Sequence, residues 1–583
     1  MKPEVGRAVA IVACLLVAGC GGGGGGSPAP APPGPAPAPV PGPGQVAISG
    51  QVTYDFVPHW ISSPFGLDYS QTEQRSARLV TVEFVDGGTV LASTQTDVNG
   101  DYSLIVDADR SGFVRVRAES VRTGTPGWDF RVVDNTDGNA LYTLDGAVAS
   151  SGTTNSERDL HADSGWTNTG YGNERAAAPF AILDTIYEGA AFLVTADPAI
   201  DFPPLSIHWS PDNRPVFGAD GNPNPETGEI GTSLYSVNAT IGTNGIYLLG
   251  AENQDTEEYD RHVILHEFAH YLEREFARSD SIGGPHALTD RLDMRVAFSE
   301  GWATAFAALA LGNPDYRDSQ GSLQQFAFRF NTESAGSNSA RGWYSEQSVL
   351  ELIYDLVDSG SEPNDGLIYP FAGVWGAMTG AVATTPALTS IFPFYDAIKS
   401  AHPGDGPLLD QLAAGQSIDS VTGDFGAGET NDAGGPDVVP VYTAIAVGAT
   451  VNVCSSDDYT SPVTGSTNKL ASRRYLRFTP QAAGSVTITV RATSIPSGEF
   501  ADPDFWIHRA GPVAVAEGAP TAACQDVGGG AWMPGDCLEA ATVSLPSEEH
   551  VLEVYEWTNT NAGDDEEYPP IGRTCFDVTV EQP

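Results

Sequence analysis

The chain has 583 residues, a length that suits about four domains and excludes a single small module. Hydrophobic residues make up 41% and aromatics 9%, enough for packed cores, so wholesale disorder is excluded too. Against 75 acidic side chains stand 28 Lys and Arg, a formal net charge of −47, which sets nucleic acid aside as a partner and leaves only covalent or hydrophobic routes to a membrane.

The first 20 residues carry Lys2 and Arg7, an apolar run from Ala8 to Ala18, and then Leu16-Val17-Ala18-Gly19-Cys20. That run is too short to span a bilayer and reads as a processed export signal. It resembles a bacterial lipoprotein signal. The resemblance implies that Cys20 becomes the lipidated first residue of the mature chain, that the lipid supplies the membrane contact, and that Cys14 leaves with the signal. Gly21 stands where an inner-membrane retention signal usually places Asp, so the resemblance favours the outer membrane or cell surface. Residues 21–44 hold six consecutive glycines and a proline-rich tract, with nine prolines among the sixteen residues from Pro28 to Pro43. This linker cannot pack a core and forms an extended spacer of roughly 50 Å.

Residues 45–125 alternate: Val80, Val82 and Phe84 oppose Thr81 and Glu83, and Val114, Val116 and Ala118 oppose Arg115 and Arg117. Half-buried strands follow. Asp97-Val98-Asn99-Gly100-Asp101-Tyr102 reads as a hairpin turn, and as a calcium loop it lacks the later Glu. This part resembles the transthyretin-like or carboxypeptidase-regulatory β-sandwich.

From residue 126 to 440 the texture turns helical. Asn173 to Leu193, Asp260 to Ala277 and Ala297 to Leu311 are rich in Ala, Leu and Glu, with apolar residues three and four apart. Gly366 to Tyr395 is uncharged but broken by three prolines, and so reads as buried helices. Asp220-Gly221-Asn222-Pro223-Asn224-Pro225-Glu226 is weighed as a Ca²⁺ loop against a plain loop; lacking the expected Gly and terminal Glu, it favours the plain loop.

His266-Glu267-Phe268-Ala269-His270 stands in this region. With 10 His and 31 Glu in the chain, chance would place His-Glu-x-x-His about 0.01 times. Asp260 is placed to cap a helix there, with Glu257 and Glu258 before its first turn, and Ile264, Phe268 and Leu272 form its core stripe. On that helix His266 and His270 lie one above the other and can face one ion, while Glu267, about 100° round, reaches a water on it. A third ligand is needed, and Glu300, in Ala297-Phe298-Ser299-Glu300-Gly301-Trp302-Ala303, would complete a two-His, one-Glu site for Zn²⁺.

Between Asn244 and Tyr354 the sequence resembles the gluzincin metallopeptidases, thermolysin and especially fungalysin, whose ligand Glu also lies in a Glu-Gly-Trp context. The resemblance implies a zincin fold, zinc on His266, His270 and Glu300, and Glu267 as the general base. The metzincin arrangement would need Gly at Glu273 and His at Phe276, and is excluded. Thr304 stands where thermolysin-like enzymes have an Asp supporting a His ligand, which implies weaker orientation. The 29 residues between His270 and Glu300 imply an inserted loop, Ser279 to Arg291, beside the cleft. Thr243 to Leu248 is either the cleft's edge strand or an ordinary core strand. For the oxyanion donor Tyr344 comes first and His286 second, with Tyr271 assigned to the core. His262 sits one turn before His266, too far along the helix to share the ion, and reads as a surface or supporting residue.

Alternation returns over residues 441–583, as at Val486, Ile488 and Val490, and the layout resembles a pre-peptidase C-terminal β-sandwich. The four other cysteines (Cys454, Cys524, Cys537, Cys575) all lie here, and an exported chain can oxidise them into two disulfides with three possible connectivities. The expected fold is multidomain: a mostly-α or α+β zincin catalytic domain flanked by two β-sandwich domains. The expected activity is a lipid-anchored, exported zinc endopeptidase acting on protein or peptide substrates, with Ca²⁺ open as a second ion. The alternative is a surface adhesion or polysaccharide-binding protein around a degenerate zincin core.

Overall fold

The computed structural model describes residues 40–218, 221–237, 244–333, 340–358, 366–419, 421–429, 441–496, 499, 501–509, 514–522, 537–560 and 569–583. The signal with Cys20, nearly all of the linker, Asp220, Thr243 and Cys524 lie outside them. The described residues form six β-sheets and eight α-helices, so the molecule is multidomain and largely of β-sandwich sheets.

The alternating N-terminal segment forms two five-stranded sheets. One centres on the strand Gln45–Phe56, joined by Glu73–Ser76 and Asp101–Asp107; the other contains Thr81–Asp86, Thr89–Gln95 and Ser111–Arg117. Their inward residues, Ile48, Val52, Val82, Phe84, Leu104 and Val114, are buried as the period of two requires. The Asp97 turn is tight, with its carboxylate accepting from the amides of Asn99 and Asp101 at 2.8 and 3.0 Å. It is not a hairpin, however. The strands it joins belong to different sheets, so it carries the chain from one layer to the other.

The hairpin Glu119–Arg122 with Trp128–Asp134 crosses the expected boundary at residue 125 and enters a six-stranded sheet with Leu205–Trp209, Gly245–Leu248 and Leu234–Ser236. The sandwich and the helical region therefore share one continuous hydrophobic core. Gly245–Leu248 is paired on both sides, so it is an interior strand and not the edge; Leu234–Ser236 takes the outer position.

Four helices frame the centre: α1 (Ala178–Ala196), α2 (Arg261–Phe276), α3 (Met294–Leu311) and α4 (Glu346–Asp355). Helix α1 is long and apolar enough to cross a membrane, yet 67% of its apolar window is buried within the protein. The stripe Ile264, Phe268 and Leu272 on α2 is fully buried, worth about 1.5–3 kcal/mol per side chain. Asp260 does precede α2, but its carboxylate makes no capping bond and accepts instead from the amide and hydroxyl of Ser319, both at 2.7 Å. Helix α3 starts on an Asp293 cap and ends at Gly312, whose φ of 56° suits glycine. At Gly301 a Cβ would lie 2.7 Å from the Cβ of Val349, so the missing side chain is what lets α3 approach α4 closely.

The uncharged stretch forms α5 (Phe371–Ala377), running through a π turn at Met378–Val382, and then α6 (Ile391–Ala401), followed by α7 (Gly406–Gly415). The C-terminal part packs two more five-stranded sheets around Leu476, Val486, Ile488, Phe505, Leu552 and Phe576. Cys454 faces Cys575 on paired strands and is bonded to it, while Cys537 is also disulfide-bonded. Of the three possible connectivities, strand register selects the one that contains Cys454–Cys575.

Candidate metal centre

Helix α2 presents His266 and His270 on one face, as their spacing of four dictates, and the packing of α3 against α2 brings Glu300 to them. His266 Nε2 lies 3.1 Å from His270 Nε2 and 3.1 Å from Glu300 Oε2, and His270 Nε2 lies 3.4 Å from the same oxygen. Two ring nitrogens and a carboxylate oxygen at such separations suit one shared cation. Donors around a tetrahedral zinc at its usual bond lengths stand about 3.3–3.4 Å apart. The donor set and its spacing therefore fit Zn²⁺. Glu267, on the same helix and only 7% exposed, lies close enough to His270 for its charge to act on that ring.

Each ring is oriented from behind. His266 Nδ1 lies 3.1 Å from Thr304 Oγ1, the hydroxyl standing where an Asp is expected. His270 Nδ1 lies 3.3 Å from Ser299 Oγ and 3.8 Å from Glu273 Oε2, and Ser299 donates to Glu273 at 2.6 Å. Thus a fully buried carboxylate backs His270 through a hydroxyl. Sequence reading passed over Glu273, although its place three residues after His270 on one helix was the available signal.

Tyr344, the first choice as oxyanion donor, is a buried core residue. It is 1% exposed, its hydroxyl donates to the carbonyl of Arg341 at 3.0 Å, and its ring packs edge-on against Trp343. The chain turns into α4 at the Ser345 cap, which sends Tyr344 inward and presents Glu346 to the site. His286, the second choice, is the ring beside the trio: its Nε2 lies 3.4 Å from Glu300 Oε2 and 3.6 Å from Glu346 Oε2. Tyr271 is a core residue, donating to the carbonyl of Pro203 at 2.6 Å. His262 is no surface residue. It is buried, its Nε2 lies 3.0 Å from the carbonyl oxygen of Asn313, and burial pushes it down to about 4.

The field of the site is set by these groups. Burial alone would raise Glu300, but the imidazoles of His286 and His270 and hydrogen bonds from His266 and His270 hold it well below the usual carboxylate range. Burial works against protonation of His286, yet the carboxylates of Glu300 and Glu346 raise it above its ordinary value. Burial raises Glu346, with Glu300 adding and His286 opposing. Tyr316, on the strand Asp315–Gln320, is pushed well up by burial and by a group of carboxylates that includes Glu267 and Glu346, which puts its phenol near both.

The loop that carries His286 is held by the C-terminal sandwich. Asn468 Nδ2 donates to the carbonyl of Gly283 at 2.9 Å, Lys469 Nζ to that of Pro285 at 3.0 Å, and Thr464 Oγ1 to Asp290 at 2.6 Å. Below it Arg295, at the start of α3, bonds Asp293, Glu553 and Tyr475. A cavity of ≈ 420 Å³ lined by Tyr142, Tyr171, Arg175, Trp209 and Glu252 shares no residue with this centre.

A family model, the mycolysin C-terminal domain, matches residues 228–376, about a quarter of the chain and the part that holds α2, α3 and α4. No curated protein matches the chain. Solved structures similar to parts of it include the pre-peptidase C-terminal domain of a collagenase from Bacillus anthracis (13% identity, 24% of this chain, 93% of that one, TM-score 0.15). Others are the lysozyme inhibitor PliG of Aeromonas hydrophila (12% identity, 24% and 96%, TM-score 0.14) and a 9R-lipoxygenase from Cyanothece (13% identity, 27% and 25%, TM-score 0.12).

Proposed function

We propose that the chain is an exported, lipid-anchored zinc endopeptidase of the gluzincin type, tethered through Cys20 and acting on protein or peptide substrates. The observation that carries this reading is the convergence of His266 Nε2, His270 Nε2 and Glu300 Oε2 within 3.1–3.4 Å of one another, with Glu267 beside them on α2. The match to a domain named for mycolysin over this same stretch supports a peptidase.

Bound zinc would polarise the scissile carbonyl and make an attacking water acidic. The protein's own groups do the rest. Glu267 takes the proton of the attacking water and passes it to the leaving amine. His286, whose protonated form the neighbouring carboxylates of Glu300 and Glu346 favour against burial, donates Nε2–H to the oxyanion that develops on the former carbonyl. Ser299 and Glu273 hold His270 in the tautomer that presents Nε2 to the metal.

The test is removal and return of the metal. Purified protein is expected to cleave an internally quenched peptide, to lose that activity on treatment with 1,10-phenanthroline, and to regain it with one equivalent of Zn²⁺. Chelator-insensitive cleavage, or no cleavage of any peptide or of casein by zinc-loaded protein, would leave the adhesion or polysaccharide-binding reading in its place. The support behind His270 is checked separately. Glu273→Gln should weaken zinc binding about 10–100-fold in competition with a chromophoric chelator. An unchanged affinity would remove Glu273 from the site.

A further inference from the structure

A second group of potential ligands lies just before α2. Asp255 sits on the short strand Asp255–Thr256, paired with Gln320 of the strand Asp315–Gln320. Asp318, two residues from Gln320, lies on the same face as Gln320, and Glu257, two residues beyond Asp255, returns to that face. One oxygen from each of the three carboxylates lies within 4.8 Å of the others. Proximity of acids alone proves nothing, since exposed clusters repel and solvate.

These are different. Oδ1 of Asp255, Oε2 of Glu257 and Oδ1 of Asp318 are buried, and none has a hydrogen-bond partner. Glu257 is 2% exposed, and its other oxygen is already taken by Ser233 Oγ at 3.0 Å. The charged groups acting on the three are each other and Asp260, all acidic. Asp260 itself accepts from Ser319 through Oδ2, and His59 Nε2 lies 2.8 Å from its Oδ1. A buried carboxylate between two half-buried ones, each with a buried oxygen left unpaired and no counter-charge, is costly unless something neutralises them.

We propose that Asp255, Glu257 and Asp318 bind a calcium ion that clamps the strand Asp315–Gln320 to the segment leading into α2. The donors are all oxygen, with no imidazole or thiolate, which selects a hard cation over zinc. They come from two paired strands and the segment leading out of the shorter one, and carboxylates, which can each bind through one oxygen or two, suit the flexible six- to eight-oxygen shell of Ca²⁺ better than the strict octahedron of Mg²⁺. The clamp sits directly before the helix that presents His266 and His270 and holds the strand that bears Tyr316, so it braces the candidate centre from outside. The inference does not depend on the zinc reading, because it uses none of that centre's residues.

The full chain, stripped with chelator and dialysed, is titrated with CaCl₂ alone and then melted. One calcium per chain and a rise of about 5 °C in melting temperature at saturation are expected. Asp318→Asn and Asp255→Asn should each abolish the rise while lifting the melting temperature of the calcium-free chain, because one of three repelling charges has gone. His270→Ala, which loses a zinc ligand, should keep the full calcium response. Absence of binding, a response that survives in both carboxylate variants, one lost in His270→Ala, or one produced as strongly by MgCl₂ would each overturn the assignment.

Discussion

Glu267→Gln is expected to lower kcat/KM for peptide hydrolysis by about 10³-fold or more, with zinc content and melting temperature unchanged. The substitution keeps shape and removes only the basic oxygen. Glu267 is not one of the three converging donors, so the metal should stay. Its position on α2, one residue from His266 and three from His270, sets it about 100° round the helix from His266, which is where the proposed mechanism needs a base for the attacking water. Elemental analysis beside a full progress curve distinguishes this from loss of metal: a variant that keeps more than about a tenth of the activity would show that the proton goes elsewhere. Tyr316 and Glu346 would then be the groups to examine, since both lie in the same field.

The largest effect on stability should come from Arg295→Met. Arg295 is 3% exposed and donates to Asp293 at 2.9 Å, to both oxygens of Glu553 at 3.0 Å and to Tyr475 at 2.7 Å, so it ties the first turn of α3 to the C-terminal sandwich. Removing it leaves two buried carboxylates short of their counter-charge, at a cost of about 3–5 kcal/mol. Burial would raise both acids, but Arg295, with Arg473 assisting, holds Asp293 and Glu553 below the usual range. Carboxylates depressed in the folded state contribute stability above their unfolded values, near pH 4, and lose it as pH falls through their folded values. The wild-type junction should therefore weaken in acid, and the deficit of Arg295→Met should be largest at pH 7 and shrink toward pH 3. Thermal melts across that range check it; an equal deficit at every pH would mean the loss is one of packing. Because α3 also carries Glu300, and the sandwich holds the His286 loop through Asn468 and Lys469, reduced activity is expected to accompany the loosened junction.

These two effects mark the boundary between local and distant information. The alternating strands, the amphipathic α2 and the apolar α3 were legible because periods of two and 3.6 are properties of short segments. The same holds for His266, Glu267 and His270: once the segment is a helix, their relative directions follow with no help from the rest of the fold. The hairpin expected at Asp97 failed because a turn's chemistry sets its tightness but not the sheet its next strand joins. Whether Gly245–Leu248 lies at the sheet's edge or inside it stayed open in the sequence because its pairing partners, Leu205–Trp209 and Leu234–Ser236, lie elsewhere in the chain.

Tertiary packing alone decided the rest of the centre. Glu300 reaches the two imidazoles through the approach of α3 to α2, with the absent side chain of Gly301 seating α3 against α4. Glu273 serves His270 only because Ser299 is carried to it from another helix, and His286 replaces Tyr344 beside Glu300 because the Ser345 cap turns one inward while the sandwich holds the loop of the other. Asp255, Glu257 and Asp318 became a group only through the pairing of Asp255 with Gln320, on two strands far apart in the sequence. A helix aligns neighbours by hydrogen bonds four residues apart, whereas bringing distant acids and imidazoles into one buried space takes the burial of apolar surface by whole helices and sheets, and no short stretch of sequence carries that balance.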